Sequence, residues 1–99
     1  RFMFANTKIS KINISQLNTL NAEDMSFMFY GCESLVSIDL SSLNTSKVRN
    51  LSNMFANCIS LLSLDLSFFN TSIVNDMSFM FKSCISLEHL NISNFNTEM

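Results

Sequence analysis

MFANCISLLSLDLSFFNTSIVNDMSF, residues 54–79, decides the fold, because the chain says it again and again. MFYGCESLVSIDLSSLNTSKVRNLSN at 28–53 is the same 26-residue unit, with Cys32 standing where Cys58 stands. Cys84 follows at the same interval in MFKSCISLEHLNISNFNTEM, residues 80–99, which stops short of a full unit. Upstream, MFANTKISKINISQLNTLNAEDMSF at 3–27 fits with one residue fewer and with Thr7 in the cysteine position. A fixed period of this length marks architectures in which each unit buries its apolar edges against the next. Residues 1–99 therefore read as a single repeat domain whose ends fall inside the pattern. That is the expectation for an excerpt of a longer protein, with flanking repeats of the same chain covering both ends.

Each unit holds two apolar periods. Val48, Leu51, Met54/Phe55 and Cys58 step by three or four residues, as do Ala22, Met25, Met28/Phe29, Cys32 and Val74, Met77, Met80/Phe81, Cys84. That spacing predicts a short helix, begun by Asp24, Asn50 and Asp76, or a turn earlier by Ser46 and Ser72. Leu35-x-x-Ile38-x-Leu40, Leu61-x-x-Leu64-x-Leu66 and Leu87-x-x-Leu90-x-Ile92, with Ile9-x-x-Ile12-x-Ile14 in the first unit, end in the alternation of a strand. The expected fold class is α/β: a leucine-rich-repeat-like solenoid with a short parallel strand plus a short helix per 26-residue repeat. Strands stack at about 4.8 Å and helices at about 8–10 Å, which would bend the stack with the strands on its concave side.

Composition narrows the function. Hydrophobic residues are 47% of the chain and charged ones only 14%, whereas Asn, Ser and Thr fill 35 of the 99 positions. Net charge is −2 and the cations are scattered, which argues against a nucleic-acid surface, since that needs clustered Lys and Arg. One Gly and no Pro exclude collagen and glycine-rich phosphate loops. No apolar run exceeds the four residues of Phe27-Met28-Phe29-Tyr30, far short of the roughly 20 needed to cross a bilayer. No direct membrane insertion is expected in this region.

The joint pattern MF-x-x-C-x-SL-x-SLDLS-x-x-NTS-x-V-x-(N/D)-(M/L)-S, carried by 54–78 and 28–52, closely resembles the BspA-like leucine-rich repeat family of surface proteins. The resemblance covers nearly the whole chain. It implies a secreted or surface-anchored protein that adheres to a host or matrix protein. The first unit departs from the pattern by lacking the Cys and one residue.

Asn18, Asn44, Asn70 and Asn96 are each followed by Thr19, Thr45, Thr71 and Thr97. An Asn ladder at the turn after each strand would bond the backbone of its own and the next coil. Asn13, Asn44, Asn50, Asn70 and Asn91 head N-x-S/T triplets, of which Asn50, Asn13 and Asn91 are the ones open to a glycan. Cys32, Cys58 and Cys84 read as buried free thiols, because helix spacing would hold them beyond the about 7 Å that a disulfide tolerates. A zinc site finds no second ligand at this spacing.

Strand positions facing away from the core form columns: Lys11, Ser37, Ser63, His89, then Asn13, Asp39, Asp65, Asn91, then Ser15, Ser41, Ser67, Ser93. The first two columns are the candidate ligand-facing residues. The plain reading is a hydrated polar face; the sharper one is a weak calcium site at Asp39 and Asp65, with Asn13 and Asn91 adding oxygens. His89 lacks a nucleophile and an orienting group in register, so no catalytic set forms. No cofactor and no metal are assigned. Phe27 and Phe79 share a column with Asn53 between them, and Phe68 stands where other units have Gln16, Ser42 and Asn94. They either fill gaps between coils or act as exposed aromatic anchors.

The sequence thus points to a non-enzymatic cell-surface interaction module, adhering to a host or matrix protein or a glycan, at the cell surface or secreted. An intracellular protein-protein scaffold is the first alternative, compatible with free thiols. Structural spacer repeats of a surface stalk are the second.

Overall fold

A computed structural model describes residues 3–93 and 95. Among them the chain forms no helix and two strands, β1 (Ser63–Asp65) and β2 (His89–Asn91). The strands pair in parallel with Ser63 opposite His89, Leu64 opposite Leu90 and Asp65 opposite Asn91. The expected α/β solenoid with a helix in every unit is therefore wrong, and so is a strand in every unit. Segments 9–14 and 35–40 alternate in sequence but form no strand.

The backbone explains why the three-to-four spacing misled. Met28, Tyr30 and Cys32 donate their N–H groups to carbonyls three residues back, on Met25, Phe27 and Phe29. The N–H groups between them point elsewhere. Met25, Phe27, Phe29 and Gly31 donate to Asn50, Ser52, Met54 and Ala56 in the next unit, at 2.8–3.0 Å. An α-helix would send each N–H four residues back along its own chain. Here tight turns take alternate donors, and a neighbouring coil 25 residues away takes the others. Turns closing over three residues keep Met25, Met28/Phe29 and Cys32 on one side, so the apolar period survives without a helix.

Left-handed residues enforce the turns. Phe27, Asn53 and Phe79 have φ of 60°, 57° and 57°, and Gly31, Asn57 and Ser83 follow four residues later at 70°, 63° and 61°. Such residues cannot continue a right-handed helix. Asp24, Asn50 and Asp76, expected as helix caps, instead bridge one another in parallel, Asp24 to Asn50 and Asn50 to Asp76. Each also accepts the N–H of the serine two residues on, at 2.8–2.9 Å. An Asx turn and an N-cap use the same side-chain oxygen and the same local donors.

Coils are joined by hydrogen bonds on the turn side as well as between β1 and β2. The difference between helix and strand spacing, offered above as a cause of bending, does not exist here. Between the two sides lies one apolar core. Phe4, Phe29, Phe55 and Phe81 stack ring on ring with centroids 5.5, 5.4 and 6.3 Å apart and planes within 7°. Phe29 and Phe55 are fully buried, together with Leu35, Leu51, Leu61 and Leu66. Phe4, Ile12, Leu17 and Ala22 at one end, and Met77, Phe81, Cys84, Leu87 and Phe95 at the other, are only partly covered. Among the described residues no helix is long and apolar enough to cross a membrane.

Candidate functional site

The eight candidate residues fall into two open depressions. Lys11, Asn13, Ser37 and Asp39 line one of about 520 Å³, over a floor of Ile12, Ile14 and Ile38. Ser63, Asp65, His89 and Asn91 line another of about 530 Å³, over Ile38, Leu64 and Leu90. Ile38 belongs to both, so the depressions adjoin. Each has a polar rim and an apolar floor, because in-register alternation sends every second side chain outward. β1 and β2 fix the second depression by their register. The first lies where segments 9–14 and 35–40 run without a ladder.

The two acidic groups line different depressions. Asp39 shares its depression with Lys11, and Asp65 shares the other with His89 and Glu88. Among the described residues no cluster of three or more His, Cys, Asp or Glu is placed to hold a metal ion. No calcium site is assigned to Asp39 and Asp65. Their oxygens already have work. Ser41 donates both its hydroxyl, at 2.7 Å, and its N–H, at 3.0 Å, to Asp39 Oδ1. Ser67 donates its N–H to Asp65 Oδ1 at 2.9 Å. Hydrogen bonds from Ser41 and from Ser67, hydroxyl first and N–H second, hold both carboxyls below the usual aspartate range.

The aromatic candidates divide. Phe68 and Phe79 are exposed, at 56% and 62%. Phe79 lies under the Lys82 ammonium, 5.3 Å from the ring centre. Phe27 is half-buried and packs at 5.3 Å on Tyr30, tilted by 53°. Phe27 is thus partly covered, whereas Phe68 and Phe79 are exposed.

With this geometry in view, one comparison is informative. A family model matches residues 1–99, its description being Mycoplasma protein of unknown function, DUF285. The chain belongs to the DUF285 family. No curated protein and no solved structure matches it.

In this DUF285 chain the residues that tie coil to coil are not the expected Asn ladder. Asn18, Asn44 and Asn70 are exposed and accept the N–H of the residue two positions on, within their own coil. The bond between coils is made by the threonine beside each. Buried Thr19 accepts the Asn44 N–H at 2.8 Å, and buried Thr45 accepts the Asn70 N–H at the same distance. Asn96 and Thr97 lie outside the described residues.

The thiols also span coils. Cys32, Cys58 and Cys84 are free, and each Sγ donates at 3.1 Å to a phenylalanine carbonyl of the preceding coil: Phe4, Phe29 and Phe55. Cys32 and Cys58 are buried donors, whereas Cys84, expected to be buried as well, is only partly covered. The contact with Cys32, and burial after it, push the Cys58 thiol up, and burial pushes Cys84 up. The argument from helix spacing does not apply, since there is no helix. In the first coil the Thr7 hydroxyl donates within its own coil, to Phe4 O at 2.7 Å, the carbonyl that also accepts from Cys32.

One sequence signal for this arrangement was available. (Asp/Asn)-x-Ser occurs three times in each central unit, at 39–41, 44–46 and 50–52 and again at 65–67, 70–72 and 76–78. It is the signature of Asx turns, and it places a turn at each corner where Gly and Pro are missing. It also accounts for the glycan-acceptor triplets as turn geometry.

Proposed function

We propose that this chain is a non-enzymatic interaction module, similar to BspA-like surface proteins, that works at the cell surface or in secreted form and adheres to a host or matrix protein or glycan. The single observation that carries the reading is the pair of adjoining depressions, joined at Ile38 and lined by the two outward columns. An extended face of this kind suits a partner held by many modest contacts. Lys11, Asp39, Asp65 and His89 give it both signs of charge, with hydroxyl and amide groups between. That mixture favours a glycan or a protein surface over a polyanion. The apolar floors, buried at Ile14 and Leu64 and open at Leu90, offer area for a partner's apolar groups.

The test is a binding screen against immobilised matrix proteins and glycans, run with the chain and with Ser37→Arg/Ser63→Arg. Both serines line the depressions and neither is part of the core, so the bulky cations fill the face without touching the fold. Binding that falls at least tenfold in the variant, with an unchanged melting curve, supports the reading. Binding that persists unchanged in the variant overturns the assignment of this face. Protease shaving of intact source cells tests the location: peptides of this region released only after lysis overturn it.

A further inference from the structure

We propose that Cys32 and Cys58 are the two halves of a disulfide that locks consecutive coils together, and that the free thiols are its reduced state. Helices would hold these residues too far apart, but the described residues form none. Phe29 and Gly31 donate their N–H groups to Met54 and Ala56 at 2.9 and 2.8 Å. The backbone leading into Cys32 is thus laddered, in register, to the backbone leading into Cys58. Main chains bonded in this way lie about 4.8 Å apart. A disulfide takes Cα atoms at about 4.4–6.8 Å, so the pair is within reach.

The side chains are close as well. The Cys58 thiol donates to Phe29 O at 3.1 Å, and the same oxygen accepts the Cys32 N–H at 3.2 Å. One carbonyl therefore holds the Cys58 sulfur against the Cys32 backbone. Cys32 Sγ donates to Phe4 O, and it turns toward Cys58 by rotating about its own Cα–Cβ bond. Cys84 stands one coil beyond Cys58 in the same register, but Cys32 is the stronger influence on the Cys58 proton and Cys84 the weaker. Cys32 is accordingly the partner. Coils on both sides cover the pair, and both residues are fully buried.

The oxidant is a small-molecule disulfide such as oxidised glutathione. One cysteine thiolate attacks it and releases the first small thiol. The second cysteine then attacks the mixed disulfide and releases the other. Two Cys–SH and one R–S–S–R become one Cys–S–S–Cys and two R–SH, so each protein sulfur gives up one electron and both protons leave with the small thiols. Attack requires a thiolate. The contact with Cys32, and burial after it, keep the folded Cys58 protonated, so exchange belongs to the stage before the coils close. Closure then shields the bond from reductant, and the bond ties off one whole 26-residue unit, which restricts the unfolded chain.

Trypsin, cutting after Lys and Arg, leaves the three cysteines on separate peptides, 12–47, 50–82 and 83–99. The unsubstituted chain is unfolded in urea, diluted into a glutathione redox buffer, blocked with iodoacetamide, digested and weighed by mass spectrometry. The expected product is 12–47 joined to 50–82, about tenfold in excess of 50–82 joined to 83–99, with Cys84 alkylated. The oxidised chain should unfold at a higher urea concentration than the reduced one, Cys84→Ala should keep that difference, and Cys32→Ala should lose it. Loop length alone would join Cys58 to either neighbour equally, since both intervals are 26 residues. An even mixture of the two products, or a majority of the second, therefore overturns the proposal. So do three alkylated thiols, and so does an oxidised chain that unfolds at or below the urea midpoint of the reduced one.

Discussion

Thr45 Oγ1 accepts the backbone N–H of Asn70 at 2.8 Å and donates to the carbonyl of the same residue at 3.3 Å. The two residues stand one coil apart, and a single buried hydroxyl satisfies both main-chain groups of its neighbour. Valine has the same shape and neither bond. Thr45→Val is expected to lower stability by about 1–3 kcal/mol, the cost of leaving main-chain groups unpaired, whereas Thr45→Ser retains most of it. Chemical denaturation midpoints measure both. Equal midpoints for Val and Thr would show that the methyl, not the hydroxyl, is what the position requires.

Phe55 is sandwiched between Phe29 and Phe81 with near-parallel planes. Its removal leaves a cavity that two neighbouring coils must collapse to fill. Phe55→Ala should cost about 3–5 kcal/mol, while Phe55→Leu should cost less because it keeps most of the volume. Phe81→Ala, at the partly covered end of the same stack, should cost visibly less than Phe55→Ala in the monomeric chain. A reversed order would contradict the burial gradient along the ring column.

Phe79 combines two unfavourable features, an exposed ring and a left-handed backbone with φ of 57°. Asn53 holds the equivalent place with the same φ, and asparagine tolerates that region far better. Phe79→Asn relieves backbone strain worth about 1 kcal/mol and gives up the contact with Lys82, worth about 0.5–1 kcal/mol at an exposed site. Melting temperature should stay level or rise slightly. If the aromatic is kept for a partner, affinity falls in the same variant. A drop in melting temperature of more than a few degrees would mean that the ring supports the fold.

These residues show what the sequence made legible and what it hid. The 26-residue period, the apolar positions and the outward columns could be read directly, because alternation and spacing report which side of the backbone a residue occupies. Which backbone carries that spacing could not be read from it. Met25, Met28/Phe29 and Cys32 face inward on a helix and on a run of three-residue turns alike. The deciding features were Asn53, Asn57 and Gly31 at positions needing positive φ, together with the serines that donate to Asp39, Asn44 and Asn50. Thr45 was hidden for a different reason. Its neighbour Asn44 is the more familiar turn residue, and only three-dimensional placement shows which of the pair reaches the next coil.

Asp39, Asp65 and Asp76 make the fold sensitive to acid. Each carboxylate accepts hydrogen bonds from the serine two residues on, Ser41, Ser67 and Ser78, and each is held below its ordinary range for that reason. A carboxyl lowered by folding contributes stability that is complete above its unfolded value, about 3.9. The contribution is lost as pH falls through the lower folded value. Melting temperature should therefore be level between about pH 7 and 5 on this account and decline below about pH 4. Asn50 and Asn91 occupy equivalent turns without a charge and still accept the serine N–H at 2.9 and 3.0 Å. Asp39→Asn/Asp65→Asn/Asp76→Asn thus keeps the turns and removes the titration. The triple variant should start slightly less stable at neutral pH and lose less on acidification, so that its curve converges on that of the unsubstituted chain near pH 2. An identical acid slope in both proteins would assign the transition to other carboxyls, because the three turns would then be equally strong whether or not their acceptor is charged.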